Sequence, residues 1–298
     1  MTTDTAPAAR PKTRIDAVAD EYTDTLIRLN PSFATTLGVP GHETEYQDFS
    51  PAGIAEFAEA ARKALTDLEG LAPEDDVDAV TLDAMQERLG LQLLIHASGW
   101  EYADLNNIAS PAQDIRAIFD LMPTATEQDW AHIAGRAHNV PGAVAGYIES
   151  LRQARDSGRV AAARQVNIVI EQATKYAAGD GFFAKLAAGA ATPEGPLSRG
   201  VRQKLDAGAV AARRAYTDLA EFLRTELLPA APEKDAVGRA RYALASRAFL
   251  GATVDLEETY AWGVEELDRL IAEQEKVAST IKAGASIAEA KDILNNDP

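Results

Sequence analysis

His42 sits in the string Val39-Pro40-Gly41-His42-Glu43-Thr44-Glu45, where an imidazole with two nearby carboxylates could contribute ligands to zinc or manganese. Such a site needs further ligands at fixed spacing. No second histidine follows at helical spacing, and no His-Glu-x-x-His string occurs anywhere. The segment therefore reads as a solvated turn. Asp129 and His132 have the spacing of one arm of a di-iron carboxylate bundle, but no matching arm exists and Asp129 is accounted for as a helix-start residue. His138 falls on a different helix face from His132. His96, beside Ile95 in an apolar stretch, reads as a hydrogen-bonded boundary residue. The chain has no cysteine, no G-x-S-x-G elbow and no phosphate-cradling glycine loop. Glu257, Glu258, Glu265, Glu266, Glu273 and Glu275 crowd one helix but lie mostly off its apolar stripe, as solubility requires. No catalytic residue and no metal ligand is assigned. Arg241, Tyr242, Tyr260 and Trp262, close in sequence to Arg239, Arg247 and Phe249, are the candidate wall of a substrate cleft in which arginine would grip a carboxylate. Packing and snorkelling are the competing reading of the same residues.

The elements that would position these groups are helical. From Thr13, apolar residues at Ile15, Val18, Tyr22, Leu26 and Leu29 mark one helix face, stopped at Pro31. Pro31 to Phe49 reads as an irregular connection. Ser50-Pro51 starts a helix through Leu68, with Gly70 placed to end it. A long pattern from Val77 to Ser98 is apolar around much of its circumference and reads as a central helix. Pro111 begins a short helix, Thr126 and Asp129 cap the next, and Pro141 opens another that ends near Gly158. Val166 to Tyr176 has strand propensity at its start but continues as helix. Gly179 to Pro196, rich in glycine and alanine, is the candidate internal loop or hinge. Helices resume from Ser198 to Leu228 and from Ala240 to Leu250. Asp255 caps a last long helix whose stripe is Leu256, Tyr260, Val264, Leu267, Ile271, Ala278 and Ile281. The expected fold is all-α, an irregular array of about ten helices, with residues 1–12 as a disordered lead and 13–298 as one helical domain.

Composition bounds the function. The 298 residues are 46% hydrophobic and 25% charged, so a sizeable core can form. A net charge of −17 without a basic cluster speaks against nucleic acid and against an anionic membrane surface. No stretch approaches the ~18 apolar residues of a membrane span, and the cytoplasm is the default location. The sequence stops in a loop at Asn295-Asn296-Asp297-Pro298, as a fragment boundary would.

Arg28-Leu29-Asn30-Pro31-Ser32-Phe33-Ala34-Thr35-Thr36-Leu37-Gly38 and the following Asp48-Phe49-Ser50-Pro51 resemble the opening of the bacterial domain-of-unknown-function family 885. The run from Phe249 to Gly263 resembles that family's mid-chain signature, with Tyr260, Gly263 and Glu266 at its Tyr-x-x-Gly-x-x-Glu positions. Arg136 to Tyr147 is similar too, so the resemblance covers about Ile15 to Pro298. It implies a fold similar to the N-terminal half of a helical zinc carboxypeptidase. Members look like zincin metallopeptidases, whose His-Glu pair and later Pro-Gly-His-His would hold zinc and supply the general base. That motif belongs to the second half of longer members and is absent here; Pro40-Gly41-His42-Glu43 lies in the wrong region. The resemblance thus implies a cleft-forming half that is silent by itself. Zinc and a peptide substrate belong to the full-length context. Its partner would be the missing C-terminal half, and self-association would follow from the face left exposed. The alternative is a stand-alone helical module that binds another protein.

Overall fold

The Thr13 hydroxyl accepts from the Asp16 N–H at 3.1 Å and the Asp16 carboxylate accepts from the Thr13 N–H at 3.0 Å, a reciprocal cap that starts α1 (Arg14–Leu29). The structure is a computed structural model describing residues 10–297, and these are all-α. Residues 1–9 of the expected disordered lead lie outside the described residues. Arg10 is described: its guanidinium is held by Asp16, Asp75 and the fully buried Asp78. The Asp78 carboxylate also accepts from the Thr13 hydroxyl and the Glu74 N–H, so this buried charge is fully partnered.

Pro31 does more than stop α1. The Asn30 side chain accepts from the Phe33 N–H, proline fills the first helical position, and a second helix, α2 (Pro31–Leu37), follows at once. It ends at Gly38, whose φ of +71° is the left-handed geometry glycine adopts without strain. The irregular connection expected from Pro31 is therefore helical in its first part. The helix α3 (Pro51–Leu68) matches its start signal at Ser50, and α4 (Asp76–Ser98), capped by Asp75, begins one residue before the expected pattern. Ile15, Val18, Ala61, Ala64, Leu68 and Leu89 make a small core between α1, α3 and α4. Contrary to expectation, α4 is not central. Only Leu89 and Leu91 of its apolar residues are buried, while Val80 and Leu94 are exposed. A helix apolar on several sides is buried only where neighbours surround it, and α4 packs mainly on α3 and α1.

The centre belongs to two other helices. After α5 (Pro111–Ala117), α6 runs unbroken from Glu127 to Asp156, so Pro141 lies inside one helix rather than opening a new one. Pro141 has no N–H for the Ala137 carbonyl, a local loss that the packing of both flanking segments outweighs. The main partner of α6 is α9 (Arg199–Phe222), which packs along it extensively, and α7 (Ala163–Ala177) and α8 (Phe182–Ala188) pack in turn on α9. The expected loop or hinge at 179–196 thus contains a helix, pinned by the fully buried Phe183. Burying that ring is worth roughly 1.5–3 kcal/mol. Phe183 meets Phe119 edge-on at 5.6 Å and lies the same distance from Tyr216, whose hydroxyl donates to the Ala112 carbonyl. Small residues let α9 approach α6. A Cβ on Gly208 would stand 3.0 Å from both the Ala134 carbonyl oxygen and the Ala137 Cβ.

The chain divides into two compact units, the first through Val237 and the second from Gly238, where the sequence reading drew one domain. The second contains α10 (Arg239–Leu250), α11 (Leu256–Ile281) and α12 (Ile287–Asn295). Asp255 caps α11 by accepting from the Glu257 and Glu258 N–H groups, and Ser286 with Glu289 caps α12. Among the described residues, no helix is long and apolar enough to cross a membrane.

Candidate functional site

Arg241 and Tyr242 stand on α10, and Tyr260 and Trp262 on α11. All four belong to the second unit. Tyr242, Tyr260 and Trp262 are more than half exposed, and Phe249 is 89% exposed. Arg239 pairs with Glu257, tying the start of α10 to the first turn of α11. The hollow described in this unit lies elsewhere, between α11 and α12, with a volume of about 330 Å³ and a lining that includes Leu270, Val277, Ile281, Ile287 and Leu294. None of the four residues lines it.

The histidines are dispersed. His42 Nδ1 lies 3.0 Å from a Glu45 oxygen, and the neighbouring Glu43 carboxylate accepts from the Gly41 N–H, which holds its pKa below the usual range. His96 Nδ1 lies 2.8 Å from Glu101, its ring beside Tyr102. His132 contacts Gln128, and Asp129 forms the cap with Thr126 expected of it. Among the described residues, no three His, Asp or Glu groups converge as metal ligands. The described residues therefore do not gather a zinc ligand set.

Two features escaped the sequence reading. Arg136 is wholly buried on α6, where its Nη2 donates to the Thr35 hydroxyl at 2.9 Å and to the His42 carbonyl at 2.7 Å. Its guanidinium also lies 5.7 Å from the Tyr46 ring, and Tyr46 in turn donates to the Ile115 carbonyl. Burial pushes the Arg136 pKa down and the Tyr46 pKa up. The signal was an arginine on the apolar stripe of Ile133, Ala137 and Val140. The second feature is a groove of about 540 Å³ along α6 and α9, floored by Val144, Ile148, Ala215 and Phe222 and edged by charged side chains. At one end Arg152 lies over Phe222 and grips Glu226 with two hydrogen bonds, joined by Arg155. Those two guanidinium groups hold the Glu226 pKa down at about 2. The alanine-rich centre of α9 was the legible hint. Such a groove can seat an apolar chain segment, and the Thr225 hydroxyl in its lining donates to the Glu221 backbone carbonyl.

The family profile for bacterial proteins of unknown function DUF885 matches residues 31–298. The chain belongs to the DUF885 family. Within the matched span fall both the Arg136 anchor and the α6–α9 groove. No curated protein matches the chain. Two solved structures share the DUF885 chain's fold. A "putative lipoprotein" from Colwellia psychrerythraea is 15% identical with a TM-score of 0.76, the match covering 96% of this chain and 55% of that one. A "putative lipoprotein of unknown function" from Shewanella oneidensis is 13% identical with a TM-score of 0.66, covering 92% and 48%. The chain spans about half the length of these relatives.

Proposed function

We propose that this chain is the helical, cleft-forming half of a zinc-dependent, carboxypeptidase-like metallopeptidase, and that it is silent without the other half. The observation that carries the reading is the pairing of a family match over residues 31–298 with a fold match that fills this chain but only half of each relative. The motif resemblance in the sequence supplies the chemistry: zinc held by residues outside this chain would polarise water toward a peptide carbonyl. This chain's own residues would bind and orient. The α6–α9 groove offers an apolar floor with charged edges, which suits an extended peptide or a packed helix.

A stand-alone interaction module is the second reading, favoured by the same groove and by the exposed aromatic residues of the second unit. The cytoplasm remains the proposed location; the likeness to two proteins described as lipoproteins makes a lipid-anchored location the competing one, and fractionation separates the two. To test the catalytic reading, peptide hydrolysis is measured for the 298-residue chain and for the product of the complete reading frame. Turnover by the complete product alone, abolished by chelation and restored by zinc, is expected. Chelator-resistant turnover by the 298-residue chain would refute it, as would a complete product that is inert with zinc.

A further inference from the structure

Among the described residues, twenty-two large hydrophobic side chains are exposed, and thirteen of them fall in the short second unit. The same unit buries only Ala278, Ala285 and Ala290. Tyr260, Val264, Leu267 and Ile271 follow one another at intervals of four, three and four along α11, which places them on a single helical face. They are 73%, 45%, 56% and 39% exposed. The hollow between α11 and α12 is likewise lined mainly by apolar side chains. A stripe of this kind and length is the face a helix ordinarily buries.

We propose that this face of α11, with the adjoining hollow, is the seat of the half of the family fold that this chain does not span. The inference rests on the reading of the chain as one half of a larger protein and deepens it by naming the surface where the halves meet. The fold match omits only 4% of this chain, roughly a dozen residues, so the 26-residue α11 cannot lie outside it. The Colwellia relative therefore shares at least half of this helix, and each relative has about as much polypeptide again that must pack on something.

Charge argues against the rival occupants. α11 carries Glu257, Glu258, Glu265, Glu266, Asp268, Glu273 and Glu275 against Arg269 and Lys276, and with Arg269 paired to Glu266 and Glu273 the helix stays net acidic. A two-fold pairing of two copies would set these acidic edges against each other, and an anionic membrane surface would repel them. The occupant chemistry that fits is a helical segment with an apolar stripe and basic flanks, tethered to the same fold.

The absence of cysteine allows a clean test. Val264→Cys and Leu267→Cys are made separately in the 298-residue chain and in the product of the reading frame carried to its natural stop. Maleimide labelling rates are then compared, with circular dichroism checking that each variant folds. Rapid labelling in the 298-residue chain at every dilution, slowed by at least about tenfold in the complete product until denaturant is added, is the expected result. Equal rates in both proteins would overturn the proposal, and so would a frame that stops at Pro298. Protection of the 298-residue chain that vanishes on dilution would assign the face to a second copy instead. Zinc-dependent peptide cleavage on the same samples separates the two ideas. A protected face without cleavage keeps the docking surface and removes the peptidase, whereas cleavage with an accessible face does the reverse.

Discussion

Arg136 carries a charge where the α6 pattern calls for an apolar residue, and it binds the α2 end and the His42 turn to the main core. Truncating it to alanine removes two hydrogen bonds and leaves a cavity, at a cost of about 2–4 kcal/mol. The Nε and Nη1 groups of Arg136 make no hydrogen bond within the described protein. Methionine, which fills the space without burying those donors, should therefore cost less than alanine. Urea denaturation of R136A and R136M ranks them, and R136M at or below R136A in stability would contradict this account. At this scale the sequence was legible where side chains act locally. Thr13, Ser50, Thr126, Asp255 and Ser286 all cap as their types suggest. Arg136 was not, because its partners lie about a hundred residues away in sequence.

Helix type was readable from period and caps, but helix rank and continuity were not. Proline signals both a start and a stop, and only tertiary packing decides that Pro31 begins a helix while Pro141 is carried through one. The α6–α9 contact is close at Gly208. Gly208→Val would drive a branched side chain against the Ala134 carbonyl, so a loss of about 1–3 kcal/mol in chemical denaturation is expected. Beyond the end of α9, α6 is also linked to the π-helical turn Leu223–Leu227 by Arg152 and Arg155, which both pair with Glu226. The folded Glu226 pKa is about 2, below its ordinary 4.5, so its stabilisation is present above about pH 4.5 and disappears as pH falls toward 2. The melting-temperature difference between the wild type and an R152A/R155A double variant should accordingly shrink over that window. A difference that holds constant from pH 6 to pH 2 would show that the ion cluster contributes nothing.

At the level of the whole molecule, the two units differ in what they bury. The first has a large continuous core, while the second buries three alanines and leaves its aromatic residues in water. Amides of α10, α11 and α12 should therefore exchange with solvent deuterium well before those of α6 and α9, a difference that mass spectrometry resolves by segment. The amphipathic stripe of α11 was plain in the sequence, yet period alone does not say what covers it. The candidate cleft residues Arg241, Tyr242, Tyr260 and Trp262 illustrate the same limit, since their proximity in sequence places them in one unit, on α10 and α11, but does not say what they line. That the chain is one half of a larger catalytic fold is most directly tested by reading the gene through and beyond the codon for Pro298. An open frame of similar further length that carries a His-Glu pair and a Pro-Gly-His-His string is the expected result; a stop codon directly after Pro298 would contradict it.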